Sequence, residues 1–129
     1  MTDHETIAAT VDAINRVWQG HDPEIIGAEL RRFFADDMVI VGPDFTVLAR
    51  GVEACTRSYA EFISNASIDK YESGELSIEI FADVAIVVHP WSMTFSIFGK
   101  QSSESGREVF TFARVSGSWR AVWRAMLPG

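Results

Sequence analysis

Residues 107–127 read REVFTFARVSGSWRAVWRAML. Two runs rich in β-branched and aromatic residues, Val109 to Val115 and Trp119 to Leu127, flank a short Ser116-Gly117-Ser118 break. Such runs favour strands, and a glycine between them supplies the backbone freedom of a tight reversal, so the stretch predicts an antiparallel hairpin. It holds two of the four tryptophans and sets Arg114, Arg120 and Arg124 among aromatic side chains. Arg124, inside a strand with apolar neighbours, needs a carboxylate partner. That partner is either a structural ion pair or the carboxylate of a ligand.

Working upstream, Gly99 to Gly106 is a polar stretch and reads as a loop. Val84 to Phe98 is a long strand in which Trp91, Met93, Phe95 and Ile97 alternate with Ser92, Thr94 and Ser96. Pro90 has no N–H for a ladder and belongs at an edge or a bulge; a bulge would switch faces, which leaves the orientation of His89 open. Ala82-Asp83 is a turn. Leu76, Ile78 and Ile80 alternate with Ser77 and Glu79 in a half-buried strand, with a bulge or bend at Gly74.

The first half reads differently. Ile7, Val11, Ile14 and Trp18 recur at helical spacing, Thr2 and Glu5 have the spacing of a capping box, and Gly20 can end the helix. Asp22-Pro23 starts a second helix with an acidic cap and proline at the first position; Ile26, Leu30, Phe33 and Phe34 are its apolar face, and Arg31 and Arg32 face solvent. Asp36 and Asp37 are adjacent carboxylates at a helix end, read as a solvated cap. Met38 to Val41 and Phe45 to Ala49 form a short hairpin around Gly42-Pro43-Asp44. After Arg50-Gly51, a third helix carries Val52, Cys55, Tyr59, Phe62 and Ile63 on one side. Helices gathered ahead of a meander of strands imply an α+β domain, with helices on one face of a strongly bent antiparallel sheet closing as a cone. The mouth of such a cone is a natural small-molecule pocket.

One domain spanning residues 1–129 is the expectation for this length. Eleven basic against eighteen acidic side chains argue against nucleic acid and anionic membranes as partners, since phosphates call for clustered Lys and Arg. A single cysteine, Cys55, forms no internal disulfide and fits a reducing compartment. The first residues show neither a basic n-region nor an apolar run, and no stretch approaches the ~20 apolar residues of a membrane span. A cytoplasmic protein is expected.

At this point the chain resembles a known superfamily, the SnoaL-like or nuclear transport factor two-like cone. FFADDMVIVGP at 33–43, Arg50-Gly51 ahead of the third helix, and GREVFTFARVSGSWRAVWRAML at 106–127 carry the resemblance. It implies a cystatin-like α+β cone with three N-terminal helices packed on a curved antiparallel sheet. The superfamily includes isomerases, cyclases, dehydratases, epoxide hydrolases and non-catalytic binding or assembly modules, so fold does not settle activity. Its ketosteroid isomerases need a carboxylate base, a helix-one tyrosine and a protonated aspartate. On the family's FADD motif, matching Phe34 to Asp37, those positions fall on Gly42, Ile14 and about Thr111, which speaks against that chemistry.

The three histidines, His4, His21 and His89, match no metal spacing, so neither a metal nor another cofactor is expected. Only His89 lies inside a strand, which makes it the best single acid–base candidate. The leading expectation is a homodimer, paired through the outer sheet face, that binds a small, largely apolar molecule in its cone. Candidate lining residues are Trp18, Met38, Ile40, Tyr59, Phe62, Trp91, Thr111 and Trp123, with His89 and Arg124 as polar anchors. The first alternative is an enzyme, an isomerase, dehydratase or hydrolase acting through His89, Asp44 or Tyr59. The second is an assembly module whose cone is filled by its own side chains.

Overall fold

The computed structural model describes residues 1–129. Helix α1 (Asp3–Trp18) starts at the expected capping box: Thr2 accepts from the Glu5 N–H, and Glu5 accepts from the Thr2 N–H. Helix α2 (Pro23–Leu30) is capped by Asp22, which accepts from the Glu24 N–H. It stops before Phe33 and Phe34. Strand β1 (Phe34–Val41) begins there and is longer than the expected Met38–Val41, with Asp36 and Asp37 exposed along it rather than at a helix end. A short β2 (Val47–Arg50) pairs back on β1, and α3 (Val52–Asn65) follows Gly51.

The rest of the chain is sheet: β3 (Ser67–Ser73), β4 (Ser77–Phe81), β5 (Val84–Ile97), β6 (Lys100–Val115) and β7 (Ser118–Pro128). The strand order is β2-β1-β7-β6-β5-β3, with β4 also on β5. Three helices lie on this curved sheet, the α+β cone that the sequence implies. One pair departs from a purely antiparallel sheet: β1 runs parallel to β7, so the sheet is mixed.

The C-terminal hairpin turns at Ser116-Gly117, both with positive φ (50° and 82°), while Ser118 already pairs with Val115. Two positive-φ residues match the right-handed twist of the flanking strands. Strand β6 extends seven residues further back than a polar loop at 99–106 would allow, to Lys100, because its first part pairs with β5. Strand β7 reaches only to the Gly106–Pro128 pair, so residues 100–105 form an edge with both faces wet, and that explains their polar composition.

Pro90 creates no bulge. The β5–β6 register runs unbroken from Val84 to Ile97. The Pro90 carbonyl accepts from the Gly74 N–H, on the side where β3 gives way to β4. The nitrogen of a strand residue faces the same side as its carbonyl, so the missing donor falls where the ladder is already interrupted. Parity therefore holds, and Ala85, Val87, His89, Met93 and Phe95 all face the helices and are buried.

Strand β7 does contain a bulge. Thr111 and Phe112 on β6 stand opposite Trp123 and Ala121, so Val122 is an extra residue. Trp119 and Ala121 point inward, and the bulge then turns Trp123 outward and Arg124 inward. That single insertion decides the floor of the cone.

Candidate functional site

Inside the cone, three strands present a polar row where hydrophobic packing would otherwise continue. His89 on β5 stands directly across from Glu108 on β6, and Arg124 on β7 pairs with Phe110, one inward position along. The His89 Nδ1 lies 2.7 Å from Glu108 Oε1, and Arg124 Nε donates to Glu108 Oε2 at 2.7 Å. An ionised carboxylate only accepts, so the His89 proton sits on Nδ1. From α1, Asn15 Nδ2 adds a third donor at 3.3 Å and also donates to the Val11 carbonyl. Glu108 and His89 are 2% and 1% exposed. A charge so deep is tolerated because it is paired and hydrogen-bonded on both oxygens. Burial pushes the Glu108 carboxyl up; the Arg124 guanidinium and the His89 contact outweigh it and hold the group below the ordinary range.

The network continues upward. Asn15 Oδ1 accepts from Trp18 Nε1 (2.9 Å) and from the Tyr71 hydroxyl (3.2 Å). Trp18 meets Tyr71 edge-on at 5.4 Å between ring centroids, and Arg124 lies over the Tyr59 ring at 4.9 Å. Burial drives the hydroxyls of Tyr59 and Tyr71 well above their ordinary pKa, so both remain protonated.

Above this floor is a cavity of about 210 Å³. Of the residues expected around a pocket, Trp18, Tyr59, Phe62, Trp91 and Arg124 line it. Met38 and Ile40 do not: they face inward from β1 but are packed into the core. His89 does not line it either, being buried behind Glu108. Thr111 and Trp123 are cross-strand partners on the outer face, where Trp123 stacks on Phe45. The β7 bulge is the reason, because two consecutive residues cannot both point inward and Arg124 takes that direction.

Asp44 is exposed and accepts from the Thr46 N–H at 3.0 Å; that bond holds its carboxyl below the ordinary range and makes it a turn former away from the cavity. The positions that match the ketosteroid isomerase catalytic set hold no acid: Ile14 is buried in the core, Gly42 follows β1, and Thr111 points outward. Cys55 is buried, its thiol donating to the Met38 and Ala49 carbonyls, as a structural cysteine does.

The sequence reading missed Glu108, Asn15, Tyr71, Met93 and Met126, all of which line the cavity. Two signals were available. Glu108 shares the parity of Phe110 and Phe112, so it had to face inward. Asn15 lies four residues after Val11 and three before Trp18, on the apolar stripe of α1.

The sequence matches the SnoaL-like domain family over residues 7–124. Among curated proteins, none matches it. Solved structures do. An NTF2-like protein from Cytophaga hutchinsonii aligns over 100% of both chains, with a TM-score of 0.79 and 14% identity. A protein with a cystatin-like fold from Caulobacter vibrioides gives a TM-score of 0.78 at 16% identity, covering 98% of this chain and 89% of the other. A ketosteroid isomerase-like protein from Erwinia carotovora atroseptica gives 0.75 at 22% identity, covering 96% and 94%. At these identities the likeness is one of fold. No helix is long and apolar enough to cross a membrane.

Proposed function

This chain belongs to the SnoaL-like domain family, and from that premise we propose that it binds a small molecule with a largely apolar body in its cone, as a homodimer. One observation carries the reading: a cavity walled by Trp18, Phe62, Trp91 and Met93 ends on a charged floor, Glu108 and Arg124. Apolar walls with a few convergent polar groups are the usual make-up of a ligand site. The volume, about 210 Å³, is below the ~300–1,000 Å³ of sites for drug-sized ligands, so the ligand is small, on the order of one ring with a short substituent. Acid–base catalysis is less well supported. Glu108 is held in its anionic form by Arg124 and His89, which makes it a weak base, and His89 is shielded behind it.

The homodimer rests on the outer sheet face. Val84 and Ile86 are 41% and 40% exposed there, beside Val109, Thr111 and Trp123, and an apolar face of this kind suits a second copy. The buried, reduced Cys55 fits a cytoplasmic setting. The test is an NMR screen of single-ring compounds against the wild type and Ser58→Trp, which places an indole at the cavity mouth from an exposed helix position. Binding by the wild type that Ser58→Trp abolishes supports the reading. No binding, or binding that Ser58→Trp leaves untouched, defeats it. Sedimentation of Ile86→Asp tests the dimer: wild-type dimers and variant monomers are expected, and a monomeric wild type refutes the pairing.

A further inference from the structure

At the buried end of the cavity, the unfilled hydrogen-bonding capacity has one sign. The buried acceptors are already engaged: Glu108 takes three donors, from His89, Asn15 and Arg124, and Asn15 Oδ1 takes two. The donors are not. Tyr59 Oη and Trp91 Nε1 are buried and have no protein partner, on residues whose side chains line the cavity. Tyr59 as a residue is 7% exposed. Arg124 uses only Nε on Glu108, and its two terminal nitrogens make no hydrogen bond within the protein. A buried donor without an acceptor is destabilising, so the fold keeps the Tyr59 and Trp91 donors at a cost that an acceptor-bearing guest would remove.

The geometry points to a small monocarboxylate as the ligand class, its carboxylate on the Arg124 terminal nitrogens and its apolar body among Trp18, Phe62 and Trp91; this rests on the reading of the cone as a binding site. A carboxylate offers about four lone-pair sites and fits the fork of two parallel guanidinium N–H groups, with Tyr59 and Trp91 as further donors. A neutral amide of the same shape brings two N–H groups into a pocket whose buried acceptors are occupied, and loses by leaving them unpaired. The carboxylate of Glu104, exposed on the strand that pairs with Met93, repels a second anion at the mouth and so favours the inward orientation of the charged end.

The probes are 3-phenylpropionate and its isostere 3-phenylpropionamide, titrated calorimetrically into the intact protein. The expected result is that the carboxylate binds at least tenfold more tightly than the amide. Tyr59→Phe and Trp91→Phe each remove one orphaned donor. Each is expected to weaken the carboxylate roughly three- to tenfold while raising the melting temperature of the free protein. That pairing of opposite effects is not expected of a residue with a purely structural role. Equal binding of the two probes, or preference for the amide, overturns the carboxylate assignment and leaves the binding cone standing. Failure of both probes to bind at millimolar concentration overturns the assignment together with the reading beneath it. A Tyr59→Phe variant that folds, binds the carboxylate as well as the wild type and gains no stability also overturns it.

Discussion

Glu108→Gln isolates the interaction on which the cone floor depends. The change is nearly isosteric and removes one negative charge from a side chain that is 2% exposed. His89 can answer by moving its proton from Nδ1 to Nε2, so the contact across β5 and β6 can be restored. Arg124 has no such recourse. Its side chain is 12% exposed and Glu108 is its only ionic partner. Removing one member of a buried pair costs about 3–5 kcal/mol, against about 0–1 kcal/mol for a surface bridge. The limited exposure of Arg124 places the expected loss near the lower end, about 3 kcal/mol. At roughly 3–5 °C per kcal/mol for a domain of this size, the melting temperature should fall by about 10–15 °C. Adding Arg124→Met should recover most of the loss, since a buried pair can be exchanged for apolar groups with little net change. The assay is urea unfolding of the wild type, both single variants and the double variant, followed by circular dichroism. A loss below about 1 kcal/mol for Glu108→Gln, or additive losses in the double variant, would refute a coupled buried pair.

The depressed carboxyl of Glu108 also predicts the direction of the acid response. A group whose folded pKa lies below its unfolded value stabilises the fold above the unfolded value, near 4.5, and that contribution disappears as pH falls through the folded pKa. Wild-type melting temperature should therefore drop steeply below about pH 4.5, and Glu108→Gln should flatten that limb; Asp3, Asp44 and Asp69 are depressed too but sit in solvent, where screening keeps their share small. Gly106→Ala would place a Cβ 2.6 Å from the Leu127 carbonyl oxygen and 3.2 Å from Trp91 Cζ2, so a loss of roughly 1–3 kcal/mol is expected in the same unfolding assay, with altered tryptophan fluorescence. Ser116→Asn should gain roughly 0.5 kcal/mol, because Ser116 has φ 50° at the first turn position and asparagine tolerates that region better.

Much of the fold is legible where a local rule acts alone. The Thr2–Glu5 box, the Asp22-Pro23 start and the Ser116-Gly117 reversal each fix an element boundary within a residue or two. Boundaries that depend on tertiary pairing are not legible in this way. Residues 100–105 look like a loop because they are polar, yet they pair with β5 at an edge exposed on both faces. The parallel β1–β7 pair joins strands far apart in sequence, and neither carries a mark of it.

The site divides along the same line. Trp18, Tyr59, Phe62 and Trp91 reach the cavity because aromatic residues on converging elements meet there. Trp123 and Arg124 could not both be placed without the bulge at Val122, which rests on a register shift between β6 and β7. The need of Arg124 for a carboxylate was legible from its apolar neighbours, and the partner is Glu108, whose parity with Phe110 had already put it on the inner face.

The four tryptophans allow the most direct test of the binding cone. Trp18 and Trp91 line the cavity, Trp119 is tied to Asp3 at 3.2 Å, and Trp123 stacks on Phe45 outside. In a ¹H–¹⁵N spectrum each gives one indole signal, and 3-phenylpropionate can be titrated against all four at once. The expected result is saturable movement of the Trp18 and Trp91 signals, with Trp119 and Trp123 unmoved. Movement confined to Trp119 or Trp123, or no movement at millimolar probe, would contradict a ligand site in the cone.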